Sequence, residues 1–504
     1  MLRLFRPRPL RPSGLLAMSR SRVAVRPIST DSSYVTPLLL DNAPHTTAKT
    51  FAVHNPASPS DILWRASAAS LKDVELVTAS AAAAFPVWSG KKLVERRDLL
   101  FKFADILERR GGELTECMCT ETAAQEPWAK FNIHTSVGFV KEVAGRLTSI
   151  EGRLPESADE GRTAMVYREP YGVVLAIAPW NAPIILAMRG ILFPLAAGNT
   201  VIFKSSELSP RTHYLLASMF VEAGLPPGAL NVIGSTREDG PEITNALIAQ
   251  RDVRKINFTG STAVGRKIAA KAGEHLKPLM LELGGKAPFI VFEDADVERA
   301  AEAAVFAGYL HAGQICMATE NVIVHTSLLD RFSAALSKAA RAFPSNQPFV
   351  LPGAHAKVSA LVASAVQQGA TIVDAEHHAT SIAANPGTYP NTVIRGVTRE
   401  MDIYATESFG PVVSLIAFET EEEAVSLANG TEYGLHSALW SADVGRALRV
   451  ARRIEVGAVH INGMTVHDEP HLPHGGRKES GFGRFGGSYG LDEFLTTKTV
   501  TFVA

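Results

Sequence analysis

Cysteine is scarce in this sequence, which has only Cys117, Cys119 and Cys316 among 504 residues. So few thiols exclude a framework of disulfides and favour a reducing compartment. Cys117 and Cys119 lack the second pair of ligands that would complete a zinc site. We therefore interpret this pair as small apolar residues packed on a helix, and we expect no metal site.

An excess of charge of one sign and a long uninterrupted apolar run are also missing. The chain has 50 basic and 51 acidic residues, so no global field favours nucleic acid or an anionic membrane, and neither is a predicted partner. A membrane span needs roughly 20 mostly uninterrupted apolar residues. The most apolar stretch, Pro179–Phe203, is interrupted by Asn181, Arg189 and three prolines. It is therefore interpreted as buried interior.

The first thirty residues differ in composition from the rest of the chain. They contain seven arginines and four serines, and no acidic residue precedes Asp31. This composition is typical of a mitochondrial presequence, so we predict the mitochondrial matrix and exclude residues 1–30 from the fold. The alternatives are a disordered basic tail or a true start at Met18, with the cytoplasm as the location.

Length and patterning predict an α/β protein of more than one domain. A chain of 504 residues exceeds the size at which one hydrophobic core stops growing. Helical and strand patterns alternate from about residue 70, which indicates a parallel sheet. The helical pattern of Val94–Thr115 should end near Gly111, and Ser209 should cap a helix that stops at Gly224. Predicted strands lie within Arg162–Ile177 and at Thr200–Phe203, Asn231–Gly234, Lys255–Phe258, Pro288–Phe292 and Asn321–His325.

Cys316 is a candidate nucleophile. It lies in the segment Gly313–Met317, between a helical pattern and a predicted strand. A thiol is the best side-chain nucleophile at neutral pH because part of it is already thiolate. A single cysteine is more often a buried spectator, so this interpretation depends on a base and an oxyanion donor elsewhere in the chain.

Glu282 and Asn181 are the candidates for those two functions. Glu282 stands between two leucines and before two glycines, where a charge is costly unless it has a partner or a chemical role. The alternative is an exposed glutamate in a turn. The uncharged amide of Asn181 could stabilise an alkoxide without neutralising a thiolate. The alternative is an ordinary turn asparagine before Pro183.

Two segments that follow predicted strands could bind a nucleotide. Gly260, Ser261 and Gly265 open a predicted helix, where glycines admit close approach and the helix N-terminus offers N–H donors to phosphate. Their spacing is not the usual dinucleotide fingerprint, so this signal is weak alone. Lys204 and Glu207 could bind ribose hydroxyls at the carboxyl end of a sheet, or form an ordinary solvated pair.

Together these segments resemble the aldehyde dehydrogenase superfamily. The resemblance covers about residues 50–504. The motifs occur in the family's order, and this ordered set is far more specific than any single motif. The motifs are Pro179–Pro183, Lys204–Glu207, Phe258–Gly265, Leu281–Lys286, Gly313–Cys316, Glu407–Pro411 and Pro473–Gly481.

The resemblance implies catalytic roles for three of the candidates. Cys316 would be the nucleophile that forms a thiohemiacetal and then a thioester. The Asn181 side chain and the Cys316 backbone N–H would form the oxyanion hole. Glu282 would be the base that hydrolyses the thioester.

The resemblance also implies a nicotinamide cofactor, NAD or NADP. Glu407 would hold the nicotinamide ribose and Phe409 the nicotinamide ring. A carboxylate at Glu207 favours NAD, because it repels the 2′-phosphate of NADP. The residues implied in cofactor binding are Trp180, Lys204, Glu207, Gly260, Ser261, Gly265, Glu407 and Phe409.

The fold that the resemblance implies has three parts. A doubly wound cofactor-binding domain would take residues 31–150 and 171–283, and an α/β catalytic domain would take residues 284–486. A small β extension, residues 151–170 and 487–504, would serve oligomerisation into a homodimer or homotetramer. In it, a strand near Gly152–Pro170 should pair with Thr497–Val503 of a neighbouring subunit.

Three segments, Ile315–Glu320, Val466–Pro470 and Gly481–Gly487, resemble the salicylaldehyde and vanillin dehydrogenase branch. This implies an aromatic or extended unsaturated aldehyde, oxidised to its carboxylic acid with water as the final acceptor. One alternative is a CoA-acylating semialdehyde dehydrogenase, which would not need Glu282. Another is a non-catalytic binding protein that retains the fold, which would not need Cys316.

Overall fold

The computed structural model describes residues 31–345, 347–384 and 388–503. The leader predicted in residues 1–30 lies outside the described residues. The α-helices of the described part are α1 (Leu71–Ser89), α2 (Leu93–Arg109), α3 (Gly111–Thr122), α4 (Glu126–Arg146), α5 (Pro183–Ala197), α6 (Pro210–Ala223), α7 (Gly240–Ala249), α8 (Thr262–Glu274), α9 (Val297–Tyr309), α10 (Leu329–Ala342), α11 (Ala354–Gln367), α12 (Ala375–Ala384), α13 (Asp402–Ala405), α14 (Glu421–Asn429), α15 (Val444–Ala451) and α16 (Gly487–Asp492).

The strands of the described part form two large sheets and three small ones. They are β1 (Val35–Thr36), β2 (Leu38–Leu40), β3 (Ala43–His45), β4 (Thr50–Asn55), β5 (Ser58–Ser67), β6 (Arg162–Pro170), β7 (Val173–Ile177), β8 (Thr200–Lys204), β9 (Leu230–Ile233), β10 (Val253–Thr259), β11 (Leu279–Glu282), β12 (Ala287–Val291), β13 (Thr319–His325), β14 (Thr371–Ile372), β15 (Thr392–Arg395), β16 (Val412–Phe418), β17 (Tyr433–Gly434), β18 (His436–Trp440), β19 (Ala458–Ile461), β20 (Arg477–Lys478), β21 (Gly481–Phe482) and β22 (Leu495–Val503).

The first large sheet is doubly wound. Within the described residues its order is β21-β11-β10-β7-β8-β9-β2-β3, and the central strands β11, β10, β7, β8 and β9 run parallel. Successive residues of a strand point to opposite faces. On β7, Val174 packs in an apolar cluster with α5, whereas Leu175 packs in another cluster with Val74 of α1. Both faces are therefore covered, as a buried parallel sheet requires.

The second large sheet has the order β14-β15-β16-β13-β12-β18-β19 within the described residues, and all its pairs except β14 with β15 are parallel. Ile290 and Ile323 pack on one face, and Phe289 and Val322 pack on the other. Strand β11 belongs to the first sheet and β12 to the second. The short connection between them, residues 283–286, therefore joins the two sheets.

The α/β class predicted from the sequence is confirmed. Each predicted strand is present, with its ends shifted by at most two residues, and the helix expected to end near Gly111 ends at Arg109. Gly111 begins α3 instead of a loop. The apolar stretch Pro179–Phe203 contains α5, every residue of which is buried, so it is interior as predicted. No helix in the described ranges is long and apolar enough to cross a membrane.

The predicted pairing of the C-terminal strand with a neighbouring subunit was wrong. Strand β22 pairs antiparallel with β6 of the same chain, from Leu495 opposite Pro170 to Val503 opposite Arg162. Helix α16, which precedes β22, packs against α4 and α5 and so returns the chain beside β6. The backbone groups that the two strands turn toward each other are therefore paired within one subunit. A role of this extension in oligomerisation stays a prediction.

The predicted cap of α6 was also wrong, although the helix has the predicted bounds. The Ser209 side chain makes no capping hydrogen bond. Instead, the Glu121 carboxyl of α3 accepts hydrogen bonds from the backbone N–H groups of Arg211 and Thr212, both at 2.9 Å. A carboxylate at a helix N-terminus satisfies N–H groups that have no partner within the helix. The sequence around Ser209 could not show a cap that comes from another helix.

Glu121 is buried, and this changes its ionisation. Its carboxyl also accepts hydrogen bonds from Trp64 Nε1 at 3.1 Å and Thr212 Oγ1 at 2.6 Å. Burial raises the pKa of Glu121 to about 7, against the hydrogen bonds from Thr212, Arg211 and Trp64, which lower it. Folding therefore takes up a proton between pH 4.5, the ordinary pKa of a glutamate, and about 7.

We expect the free energy of unfolding to fall as the pH rises from about 4.5 to about 7, because the folded protein retains the Glu121 proton in this range. In the Glu121→Gln variant this contribution should disappear. The melting temperature measured across this range would show the difference. Glu75→Gln, an exposed substitution on α1, is the matched control and should retain the wild-type slope. Equal slopes for Glu121→Gln and the wild type would contradict the prediction.

Candidate active site

The segment that carries Cys316 lies against the connection between the two sheets. Cys316 precedes β13 and is partly buried. A Cβ atom placed on Gly285 would lie 2.2 Å from the Cys316 carbonyl oxygen, so only glycine permits this approach. The Gly-Gly pair after Glu282 therefore allows the candidate nucleophile to lie close to the end of β11.

Glu282, the last residue of β11, is buried in a polar surrounding. Arg189 Nη1 donates to its Oε1 at 2.6 Å, and Thr259 Oγ1 donates to its Oε2 at 3.3 Å. The Nε2 atom of His474 also contacts Oε1. Burial acts to raise the pKa of Glu282, but the charges and hydrogen bonds of Arg189 and His474 outweigh it and lower the pKa to about 2. The carboxyl is therefore ionised at neutral pH.

Arg189 connects Glu282 to a second carboxylate. Its Nη2 donates to Asp468 Oδ2 at 2.5 Å, and His474 Nδ1 lies 3.7 Å from the other oxygen of Asp468. All four side chains are shielded from solvent, with Arg189 and Glu282 exposed by 2% and 1%. We call Arg189, Glu282, Asp468 and His474 the Arg189 cluster. Two carboxylates share one guanidinium and one imidazole, which compensates buried charge with charge.

The Pro473–Gly481 motif holds this region together. Its Ser480 accepts a hydrogen bond from Leu283 N at 3.0 Å, and its hydroxyl donates to Gly284 O at 2.6 Å. Gly481 of β21 pairs with Glu282 of β11. The motif thus fixes the backbone of Glu282 and of the two residues after it.

Asn181 lies beside the segment that carries Cys316. Its Nδ2 donates to the carbonyl oxygen of Gln314 at 2.9 Å, and its own carbonyl accepts from Trp128 Nε1 at 3.1 Å. An amide nitrogen carries two hydrogens, so one donor is left when Gln314 takes the other. The structure therefore places Asn181 against the segment that carries Cys316, and Glu282 lies near enough to Cys316 to affect its pKa.

The surroundings of Cys316 keep its thiol protonated. Burial raises the pKa of the Cys316 thiol well above its ordinary value, and the negative charge of Glu282 raises it further, while Arg189 acts to lower it. In this state Cys316 is a thiol, so as a nucleophile it would first have to lose its proton.

Glu407 and Phe409 are positioned by a buried ion pair that the sequence analysis missed. Glu320 contacts Lys286 Nζ and accepts hydrogen bonds from the backbone of Ser408, at 2.9 Å, and of Phe409. Phe409 has a φ of 52°, in the left-handed region that is unfavourable for a bulky residue. Strain of this kind persists only where the surroundings impose it, and it concentrates at functional sites.

The Glu407 carboxyl faces the glycines after Glu282. Its Oε1 accepts a hydrogen bond from Gly285 N at 2.9 Å. Burial raises the pKa of Glu407 to about 7, with a further increase from the nearby Glu320, while the Gly285 hydrogen bond lowers it. Phe409 meets Trp180 edge to face, with ring centroids 6.0 Å apart.

The other candidates for cofactor binding lie at or just after the carboxyl ends of adjacent parallel strands. Strands β10, β7 and β8 are neighbours, so the segments after them meet at one edge of the sheet. Lys204 ends β8 and is buried, and its ammonium forms no ion pair within the described residues. Burial lowers its pKa, and Glu207 opposes that shift. An unpaired buried ammonium beside a partly exposed carboxylate suits the hydroxyl groups of a ribose.

The loop after β10 also fits a dinucleotide. Ser261 caps α8, accepting a hydrogen bond from Val264 N at 3.4 Å, so the first N–H groups of α8 lie at this edge. A Cβ on Gly260 would lie 2.5 Å from the Phe258 ring, and a Cβ on Gly265 would lie 2.5 Å from Leu283. Side chains are excluded at both glycines, which keeps α8 close against the sheet and its N-terminus open to phosphate.

The sequence analysis missed the partners of the predicted residues. Arg189, Asp468, His474, Lys286 and Glu320 were not assigned to the site. The signal for Arg189 was present, since it is the single charge within Pro179–Phe203. His474 lies within the Pro473–Gly481 motif.

Comparison with known proteins agrees with this geometry. Residues 43–500 match the Aldehyde dehydrogenase family. A vanillin dehydrogenase of Pseudomonas fluorescens is 42% identical over 476 residues, covering 92% of this chain and 97% of that protein. A salicylaldehyde dehydrogenase of Pseudomonas putida is 40% identical over 463 residues, covering 90% and 94%. A crystal structure of a Pseudomonas putida salicylaldehyde dehydrogenase with salicylaldehyde superimposes with a TM-score of 0.89 at 38% identity, covering 93% and 98%.

The chain belongs to the aldehyde dehydrogenase family. It is an enzyme of that class, an oxidoreductase that uses NAD or NADP.

The ionisation of Cys316 can be tested by alkylation. Because burial and Glu282 raise its pKa, the rate of reaction with iodoacetamide should rise about tenfold per pH unit up to about pH 9 without levelling off. Mass spectrometry of the Cys316 peptide would follow the reaction in the protein without cofactor. A short unstructured cysteine peptide, which levels off near its ordinary pKa, is the control. A plateau for Cys316 near neutral pH would contradict the assignment.

Proposed function

We propose that the protein oxidises an aromatic or extended unsaturated aldehyde to its carboxylic acid, with NAD as the preferred cofactor and water as the final acceptor. The observation that carries the proposal is the convergence of a thiol, an amide donor and a buried ionised carboxyl, Cys316, Asn181 and Glu282, beside the edge of the sheet that fits a dinucleotide.

In the first half of the reaction, Cys316 attacks the aldehyde carbon. The carbonyl oxygen takes up negative charge as the C–S bond forms, and the remaining N–H of the Asn181 amide and the Cys316 backbone N–H would donate to it. A neutral donor such as Asn181 stabilises the alkoxide without tying up the thiolate. The Cys316 thiol first gives its proton to water, and the resulting thiolate attacks.

When bound, NAD or NADP supplies the hydride acceptor. On the protein side, Glu407 would hold the nicotinamide ribose, and Phe409 would limit movement of the ring, with Trp180 lining the crevice. Lys204 and Glu207 would bind the adenosine ribose, and Gly260, Ser261 and Gly265 would face the phosphates. The preference for NAD depends on the carboxylate of Glu207, which repels a 2′-phosphate.

In the second half, Glu282 would orient water and take its proton as the water oxygen attacks the thioester. The C–S bond then breaks, the carboxylic acid leaves, and Cys316 regains a proton. The Arg189 cluster holds Glu282 ionised, so it is available as a base at neutral pH. A base with so low a pKa binds a proton weakly and must pass it on.

An aromatic substrate is supported by the surroundings of Asn181. The Trp128 ring stacks on Phe131 at 5.4 Å and on His311 at 6.3 Å, and its Nε1 holds the Asn181 carbonyl. Ile315, beside the nucleophile, belongs to the same buried apolar cluster as Trp128. Flat apolar surface therefore surrounds the point where the aldehyde carbon would lie. The relatives named above act on vanillin and salicylaldehyde, which are flat aromatic aldehydes.

Neither alternative function gains support. A CoA-acylating enzyme transfers its thioester to a thiol and needs no hydrolytic base, whereas Glu282 is retained and held ionised. A non-catalytic protein would have no reason to preserve the arrangement of Cys316 and Asn181 together with the strained Phe409.

Assembly and location remain predictions. We propose a homodimer or homotetramer in which the β6–β22 ribbon extends from each subunit to its neighbour, and a domain division at the bounds given above. Import into the mitochondrial matrix depends only on the composition of residues 1–30, with the cytoplasm as the alternative. The vanillin and salicylaldehyde dehydrogenases reported above come from bacteria and lend mitochondrial import no support.

The central experiment follows NADH absorbance with NAD or NADP and a panel of aliphatic and aromatic aldehydes. The wild type should turn over aromatic aldehydes with NAD. The Glu282→Gln variant should release about one equivalent of NADH per active site and then stall, because hydride transfer precedes the step that needs a base.

Cys316→Ala is the matched control, which should bind cofactor and release no NADH. An unchanged steady state in Glu282→Gln would remove Glu282 from hydrolysis. Turnover only after CoA is added would favour the acylating alternative, and preference for aliphatic aldehydes would reject the aromatic pocket.

A further inference from the structure

Two buried charged side chains lie between the reacting residues and the candidate cofactor residues, and neither takes part in the proposed chemistry. The side chains of Lys286 and Glu320 are 1% and 4% exposed, and Lys286 Nζ contacts Glu320 Oε2. Replacing a buried ion pair by well-packed apolar side chains is often neutral or stabilising. Stability alone therefore does not explain why the chain buries two charges here.

The ion pair joins the two segments that carry the reacting side chains. Lys286 lies four residues after Glu282, in the connection between the two sheets. Glu320 lies four residues after Cys316, near the start of β13. If the two segments moved apart, each would leave a buried charge uncompensated, which is costly. The pair therefore holds one segment in place against the other.

The Glu320 carboxylate also holds a third segment, Glu407–Gly410. The Ser408 N–H donates to Glu320 Oε2 at 2.9 Å and to Oε1 at 3.1 Å, and the Phe409 N–H donates to Oε1 at 3.3 Å. Successive N–H groups that point at one anion need an unusual backbone conformation. Phe409 has such a conformation, with a φ of 52°. Hydrogen bonds to a charged acceptor are strong enough to offset the cost of this strain.

Other contacts fix the Glu407–Gly410 segment on its remaining sides. Lys357 Nζ donates to the Glu407 carbonyl oxygen at 2.6 Å, and Gly285 N donates to Glu407 Oε1 at 2.9 Å. A Cβ atom on Gly313 would lie 2.2 Å from the Gly410 carbonyl oxygen, so the segment before the nucleophile packs directly against it. The side chains of this segment are therefore held at a fixed place relative to the nucleophile.

Accurate placement matters in one half of the proposed reaction only. An error of about 1 Å in the position of a reacting group can slow a step about 100-fold. Glu407 and Phe409 would position the ring that accepts the hydride, whereas hydrolysis by Glu282 uses neither of them. Loss of their position should therefore slow oxidation and spare hydrolysis.

We propose that Glu320, held by Lys286, is a positioning residue for hydride transfer: its carboxylate accepts the N–H groups of Ser408 and Phe409 and so sets Glu407 and Phe409 against the nicotinamide riboside. The proposal rests on the proposed roles of Glu407 and Phe409 in cofactor binding. The ion pair exchanges no proton with the reactants, and its effect is on geometry alone.

Two double variants separate the hydrogen-bond acceptor from the charge. Lys286→Met with Glu320→Gln removes both charges and keeps a side-chain oxygen that can accept from the backbone of Ser408 and Phe409. Lys286→Met with Glu320→Leu removes both charges and the acceptor. Neither variant leaves a buried charge unpaired, so both should fold. If the Glu320→Leu variant does not fold, Glu320→Ala with Lys286→Met takes its place.

The first readouts need no turnover with the cofactor. Hydrogen exchange followed by mass spectrometry in the cofactor-free protein should show faster exchange of the 407–410 peptide in the Glu320→Leu variant only. Hydrolysis of p-nitrophenyl benzoate without cofactor should stay within about threefold of the wild-type rate in both variants, because it uses Cys316 and Glu282 alone.

The cofactor-dependent readouts should separate the two variants. In the Glu320→Leu variant the KM for NAD should rise, and the first equivalent of NADH from an aromatic aldehyde should form about tenfold or more slowly. A deuterated aldehyde should slow it further, because hydride transfer then limits the rate. The Glu320→Gln variant should stay within about threefold of the wild type. Lys255→Met is the matched control, since it removes a buried ammonium toward the amino end of β10, away from the cofactor edge.

Wild-type exchange and a wild-type NADH burst in the Glu320→Leu variant would overturn the proposal. An equal loss of oxidation and of ester hydrolysis would also overturn it, because a general defect of the site would explain that result. Equal impairment of the two double variants would do the same, since Glu320→Gln keeps the acceptor. Absence of NADH from the wild type would reject the proposed function, while NAD affinity by calorimetry and exchange of the 407–410 peptide would still decide the positioning role.

Discussion

The ion pair between Arg189 and Glu282 is the interaction on which the rest of the site depends. Arg189 comes from α5, on one face of the first sheet, and Glu282 ends β11 of that sheet. Asp468 and His474 come from the segment that follows β19 of the second sheet. The Arg189 cluster therefore joins three distant parts of the chain. Removing one partner from such a cluster costs about 3–5 kcal/mol, because it leaves a buried charge uncompensated.

The same cluster keeps Glu282 ionised and helps to keep Cys316 protonated. Burial acts to raise the pKa of Glu282, and the charge of Arg189 together with the hydrogen bonds from Arg189 and His474 keeps it ionised. The resulting negative charge helps to keep Cys316 in the thiol form. A base that is ionised but weakly basic can begin hydrolysis only if its proton moves on quickly.

The sequence predicted the strands well, because each depends on a local pattern. The candidate site residues came from motifs, and their roles stay predictions. The short apolar run Val201–Phe203, for example, locates β8 whatever it packs against. Partners that are distant in the chain could not be predicted in this way. Glu121, which caps α6, lies 90 residues before Arg211, whose backbone N–H donates to it. The pairing of β22 with β6 within one subunit likewise depends on where α16 returns the chain.

The most direct test of the account is the pH dependence of deacylation in the wild type and in Arg189→Leu. An activated ester such as p-nitrophenyl benzoate acylates Cys316 without cofactor, and the release of benzoate then reports the hydrolytic step alone. The wild-type rate should show no acid limb down to about pH 5, because the Glu282 pKa is about 2. Without Arg189, burial should raise that pKa, and the rate should fall with decreasing pH within the measured range. An acid limb at the same pH in both proteins would contradict the claim that Arg189 holds the base ionised.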